Sequence, residues 1–403
     1  MGTVKLLRVP DVRRLAYARL ATVVGDFALP VVLVVLVHGR PIAVGFVLGA
    51  HVAGSLVVAL VGARLARRLR PERVIVASNL GSAAVQGIVV GLFAVHALSV
   101  PVLVGLVFCR GFSSAFFNPA AQGLRPRILA PEQRKAGNAL LGLALATGVV
   151  LGPLVGWGLV VSVGAVGALG VDGLALVFSA VAVAQIRVSG AGPVADRVGT
   201  AVILRAGWRE VRTRRWLLCT VVMLAGVNLL AAGPLLTLAP VVAGGAASYA
   251  AMLSAIGFGA VVGGVLCAYP KNGLWLLPAA AGPLALALRA PLLLVIAAFV
   301  VVGAVQSVHG AAWSRALRKA LPSQAVGPVS EFEEMTSLAV LPAGQVLGGV
   351  LVGRVGAMPT AWMIVLALVG LTLLLAVVPW PRPRMRSDRA GTRSVSPAAV
   401  GSR

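Results

Sequence analysis

Arg110–Trp157 reads RGFSSAFFNPAAQGLRPRILAPEQRKAGNALLGLALATGVVLGPLVGW, and this stretch decides the fold. It opens with an arginine inside an apolar segment and passes through a basic, proline-bearing loop. It then enters a long apolar run punctuated by Gly148, Gly152, Pro153 and Gly156. A charge in apolar surroundings is expensive and is therefore seldom idle. Glycines four residues apart let a second helix backbone come close. The stretch describes a helical membrane protein with a working, moving interior.

The rest of the chain agrees. Of its 403 residues, 59% are hydrophobic and 11% charged, and the mean hydropathy is +0.98. Soluble domains carry about 25% charged residues, so lipid is the solvent here. Several runs of about 20 apolar residues match the hydrocarbon core. They are apolar on every face, which excludes an alternating barrel. Helices follow, because backbone groups in lipid must be satisfied within their own segment.

The net charge of +24 would suggest nucleic acid in a soluble protein. Here the arginines sit in particular loops, so topology and anionic headgroups account for them and no nucleic-acid partner is expected. Cys109, Cys219 and Cys267 lie inside apolar runs, without disulfide or metal-ligand spacing. No P-loop, no Ser/His/Asp arrangement and no cleavable signal peptide can be placed, so no enzyme is expected.

Twelve spans are expected at 15–37, 42–63, 74–95, 98–117, 138–161, 164–186, 216–241, 247–269, 274–289, 291–313, 336–355 and 359–380. The N-terminus, loops 64–73, 118–137, 187–215 and 314–335, and the tail hold nearly all basic residues. The other side holds Arg40, Arg289 and Arg354. The positive-inside rule puts both termini in the cytoplasm of a cell inner membrane. Gly148-Val-Val-Leu-Gly152 returns as Gly344-Gln-Val-Leu-Gly348 near half the chain later, which suggests two like halves. The expected organisation is a six-helix half over 1–186, a cytoplasmic linker over 187–215, a second half over 216–380, and a disordered basic tail over 381–403. Within the linker, Leu204, Trp208 and Val211 share one helix face beside Arg205, Arg209 and Arg212, an interfacial amphipathic pattern.

These residues resemble the major facilitator superfamily, in the drug and siderophore exporter branch that includes enterobactin-exporter-like and macrolide-efflux-like transporters. The resemblance is carried by Gly25-Asp26, by Phe116-Phe117-Asn-Pro119-Ala120-Ala-Gln122 and by Asn138-Ala-Leu140. Gly148-x-x-x-Gly152-Pro153-x-x-Gly156 is similar to the antiporter-associated motif, and Asp172 and Ala206-Gly207-Trp208-Arg209 also fit. One departure stands out: Arg67 occupies the place where the superfamily's gate motif between spans two and three has an aspartate.

Asp26 lies about eleven residues into span one, about 16 Å deep at 1.5 Å per residue. An intramembrane carboxyl is by default functional, here a proton-coupling or substrate-cation site; the bland alternative is a structural hydrogen bond. Arg110 lies at similar depth in span four, and the resemblance implies that both spans line one cavity. A direct or water-mediated pair is expected, either as a switch or as a static brace. Asp172 could join a proton path or simply sit near a helix start. Candidate cavity residues are Asp26, Ser113, Ser114, Asn228, Gln306, His309 and Trp313. Gly148, Gly152, Pro153 and Gly156 are read as a close-packing hinge. Glu331, Glu333 and Glu334 are read either as solvated loop charge or as acids closing a cytoplasmic gate against Arg67 and Arg68.

The expectation is a monomeric, proton-driven exporter of small amphipathic molecules with no cofactor beyond the proton gradient. Its partners are then a small-molecule substrate, protons and the lipid bilayer. A proton-coupled importer and a non-transporting sensor or scaffold are the alternatives.

Overall fold

The computed structural model describes residues 3–66, 69–186, 200–266 and 273–377. Ten helices among the described residues are long and apolar enough to cross a membrane, and no strand occurs among them. They are, with the shorter pieces, α1 Pro10–Leu36, α2 Pro41–Ala66, α3 Pro71–Ala94, α4 Val100–Ser114, α5 Phe117–Ile128, α6 Arg134–Ala184 and α7 Thr200–Thr213. The chain continues through α8 Arg215–Val227, α9 Gly233–Val242, α10 Ala246–Leu266, α11 Ala281–Ala287, α12 Leu292–Ala320, α13 Ser323–Arg354 and α14 Ala357–Val377. A single π turn, Asn228–Ala232, joins α8 to α9 into one span. The helix α6 is two spans joined at Gly164, whose φ of 75° turns the chain back on itself. Counted as two, and with the short apolar segment Leu276–Ala287, it brings the total to twelve spans.

The ends of the helices follow a rule. Pro10, Pro71 and Pro131 open helices, and Pro322 caps one, on the face that holds both ends of the bundle, and Pro41 opens and Pro291 caps a helix on the opposite face. A proline there sacrifices an N–H that has no intrahelical partner anyway. On the opposite face, every turn carries a left-handed residue: His38, His96, Gly164, Gly244, Arg289 and Gly356. Those six turns are short, and a positive φ lets the chain leave one helix and enter the next within a few residues. The first face is called basic below, for its arginines.

Two expectations about loops are corrected. The segment expected as loop 118–137 is mostly helical, since α5 continues span four past a break at Ala115–Phe116. Loop 314–335 shrinks to Leu321–Pro322, because α12 runs to Ala320 and α13 starts at Ser323. Hydropathy ends where the apolar residues end, but these helices continue beyond that point with polar turns. The segments 187–199 and 381–403, with Arg67, Arg68 and Cys267, lie outside the described residues.

Helices meet through glycines. Within the first six spans, a Cβ on Gly54 would overlap the Phe108 carbonyl, and one on Gly111 would overlap the His51 carbonyl, so α2 and α4 touch backbone to backbone. Among the last six, Gly259 meets Val300 and Gly303 meets Ile256 in the same reciprocal way between α10 and α12. The internal repeat is therefore geometric as well as textual.

The core is undivided at one face and split at the other. Towards the opposite face one apolar cluster takes in Leu29, Val31, Val32, Leu33, Val44, Val47 and Leu48 together with Leu235, Leu238, Tyr249, Met252 and Ile364. Towards the basic face, Leu15, Ile75, Phe117 and Leu124 form one cluster and Leu217, Trp313, Leu317 and Val329 another. At the joined end, α2 and α13 close a seam in which a Cβ on Gly45 would lie 2.6 Å from the Gln345 carbonyl oxygen and 3.2 Å from the Gly349 Cα. The molecule is sealed at the opposite face.

Candidate functional site

Several polar residues fall in one layer. Asp26 lies ten residues before the end of α1, and Arg110 lies ten residues into α4. Asp172 is eight residues past Gly164, and Gln86 is eight residues before the end of α3. At 1.5 Å per residue all lie about 12–15 Å below the opposite face. Separate helices thus bring these polar groups to one depth, the expected Asp26 and Arg110 among them.

Arg110 is the hub. It is 1% exposed and the largest fully buried side chain among the described residues. Its Nη2 donates to Asp26 Oδ1 at 3.0 Å and lies 3.8 Å from Asp172 Oδ2. Its Nη1 reaches Ser82 Oγ at 3.4 Å. Gln86 Nε2 donates to Asp172 Oδ2. The Asp26 side chain keeps 31% of its surface and Asp172 keeps 12%, so the buried guanidinium is flanked by two acids that are still reachable. With both acids ionised, the cluster carries one excess negative charge.

The geometry removes one reading of Asp172. It sits two turns inside its span, beyond the first turn where the helix dipole acts, and it faces Arg110. It also fills the space a side chain at Gly25 would need. Gly25 is thus required for Asp172 to reach the hub. Ser82, Gln86 and His51 were not singled out from the sequence. His51 Nδ1, Gln86 Oε1 and Arg110 Nε are buried without a protein partner, and His51 lies within electrostatic reach of Arg110 and Asp26. Lone polar residues at helical spacing on α2 and α3, level with Asp26, were the available signal.

The other candidates scatter. Ser113 accepts a bond from Ser78 at its backbone oxygen and sits against Gly81, and Ser114 bonds back to Gly111, so both face their own neighbourhood. Asn228 opens the π turn and donates to Leu224 O at 3.3 Å. Gln306 is exposed and His309 half-buried. Trp313 is not a cavity wall: it is buried in the cluster with Trp216, their rings 6.1 Å apart. Glu331, Glu333 and Glu334 lie on α13, not in a loop, and Glu333 accepts a bond from Ser337.

Gly148, Gly152 and Gly156 press α6 against α1. A Cβ on Gly152 would lie 3.0 Å from the Val24 carbonyl oxygen, and one on Gly156 would lie 2.8 Å from that of Ala28. Gly344 and Gly348 press α13 against the π turn and α9 in the same way. The repeat does not extend to the charges. If Gly111 and Gly303 correspond, Arg110 corresponds to Val302, which is buried in apolar surroundings. The buried charge of the first half thus has no counterpart at this position in the second, where Ser254 and Gln345 are buried polar groups at similar depth.

The profile of the Major Facilitator Superfamily matches residues 15–330. The chain belongs to the major facilitator superfamily. Solved structures of similar fold are transporters. A bacterial homolog to the human lysosomal transporter Spinster, inward-facing and unoccupied, aligns at 15% identity over 91% of this chain and 94% of that one, with a TM-score of 0.67. A nucleoside transporter aligns at 12% identity over 91% and 98%, with a TM-score of 0.69. A D-xylose–proton symporter aligns at 11% over 93% and 98%, with a TM-score of 0.65. Among curated proteins, none matches the sequence. This major facilitator is a multi-pass membrane transporter of small molecules.

Proposed function

We propose that the chain is a proton-coupled exporter of small amphipathic molecules, working as a monomer by alternating access in the bacterial inner membrane. The observation that carries this is the sharing of one buried arginine by two carboxylates in one layer. The excess negative charge can be discharged by a proton or by a cationic cargo, and the two then compete for the same place. Intramembrane ionisable groups facing one another are the usual parts of a proton relay. One proton moving down 100 mV supplies about 2.3 kcal/mol, enough for a gradient of about forty- to fiftyfold.

Placing the basic face in the cytoplasm follows the arginine bias. The sealed seam then makes this the cytoplasm-open conformation, ready to load cargo or release a proton inward. In the same reading, Glu331, Glu333 and Glu334 are the acids that would face the arginine-bearing start of α3, at Arg70 and Arg73, when the basic face shuts. The glycine faces on α6 and α13 are the surfaces on which α1 and α9 shift. Export and the drug or siderophore branch rest on the motifs at Gly25-Asp26 and Gly148–Gly156.

A pump-deficient bacterium expressing the chain, challenged with a toxic-compound panel, identifies cargo. Uptake of that cargo into inside-out vesicles energised by an inward-acidic gradient then tests the reading. Accumulation that collapses with a protonophore is expected. Accumulation only in right-side-out vesicles would make the protein an importer.

A further inference from the structure

A groove on the flank of the first six spans leads to Asp172 without passing between the halves. Its lining comes from α1 and the two limbs of α6 alone, including Tyr17, Val24, Gly25, Val155, Val171 and Asp172, and its volume is about 290 Å³. From Tyr17 to Val32 along α1 it covers about 22 Å at 1.5 Å per residue, with Gly25 and Asp172 near its middle, so each arm leading from Asp172 is about 10–12 Å long and takes a medium-length alkyl chain. Tyr17, Val155 and Val171 stand 55%, 41% and 41% exposed at its rim, so it opens on the side of the bundle that meets lipid.

The floor of this groove is charged on one side only. Asp172 Oδ2 is taken by Gln86 and lies against Arg110. Oδ1 points at Gly25, which also lines the groove, and it accepts no hydrogen bond among the described residues. A carboxylate oxygen without a partner in an apolar channel favours a cation that brings its own apolar body. The excess negative charge of the Asp26–Arg110–Asp172 cluster fixes the preferred ligand charge at one.

We infer that this groove is a lateral binding site for a single-chain alkylammonium monocation, taken from the bilayer with its head against Asp172 Oδ1 and its chain along α1. The inference deepens the exporter reading by naming a cargo class and its route; the site itself stands on the groove and the unpaired oxygen. A ligand seated there adds positive charge beside Arg110 and weakens the hold of Arg110 on Asp172.

The test is equilibrium binding of radiolabelled octyltrimethylammonium to the full chain in lipid nanodiscs, with empty discs subtracted and no gradient applied. Saturable binding near one equivalent is expected. Val155→Trp, which fills the groove from an exposed position, and Asp172→Asn are each expected to weaken it at least tenfold. Gln306→Leu, in the second half, is expected to leave it unchanged. Absence of saturable binding in the wild type overturns the inference. So does binding that survives Val155→Trp but weakens with Gln306→Leu, which would move the ligand to the space between the halves. Because no gradient is involved, binding can succeed where proton-driven transport fails, and the reverse.

Discussion

Replacing Gly45 by valine is expected to force the sealed face open. In the sealed state a Cβ at this position would sit 2.6 Å from the Gln345 carbonyl oxygen, which belongs to helix backbone and cannot rotate away. Overpacking a tight contact costs about 1–3 kcal/mol. Only the conformation in which α2 and α13 touch bears that cost, so the balance shifts towards the state opened at this face by about 5- to 150-fold. Gly54→Ala is the control. Its Cβ would clash with the Phe108 carbonyl inside the first six spans, a contact expected to persist in both states, so it lowers stability without moving the balance. Spin labels at Arg40 and Arg354, exposed at the opposite face on the two sides of the seam, report the opening as a longer distance by pulsed electron resonance. If Gly45→Val lowers thermal stability as Gly54→Ala does while the label distance stays put, the seam is not where the halves part.

Three further outcomes follow. Asp26→Asn, which removes the partner 3.0 Å from Arg110, is expected to abolish pH-driven transport while membrane levels and melting temperature stay near wild type; unaltered transport rules out its coupling role. Arg110→Leu leaves two partly buried acids uncompensated and is expected to destabilise by up to about 3 kcal/mol. Adding Asp26→Asn and Asp172→Asn to it is expected to recover most of the melting temperature in detergent, and a triple variant no more stable than the single one would show that Arg110 acts through packing alone. Gly207→Leu would drive a side chain into the Pro328 carbonyl and Phe332. It is expected to undock α7 from α13, read as faster hydrogen exchange across Thr200–Thr213 and checked against unchanged exchange in α13.

The spans were legible because lipid imposes one condition, an apolar run of fixed length, and each run announces itself. The Asp26–Arg110 pair was legible for the converse reason, two charges where none should be. Asp172 was ambiguous because a carboxylate near a helix start has a local explanation, and only packing shows that it reaches past Gly25 to the same arginine. Gln86 and His51 were invisible as a group because they lie on different helices and become neighbours only through shared depth. Trp313 misled for a related reason: its spacing from His309 fixes a helix face, but what lies across from that face is decided by Trp216, far away in the chain.

The six left-handed turns have a consequence for what the far compartment can touch. Each hairpin doubles back within a few residues, so among the described residues that side of the molecule offers no extended segment for a protease and scarcely an epitope for an antibody. Tags and reporter fusions belong at the arginine-bearing end. Recognition from that side would have to come by way of the cargo or the surrounding lipid.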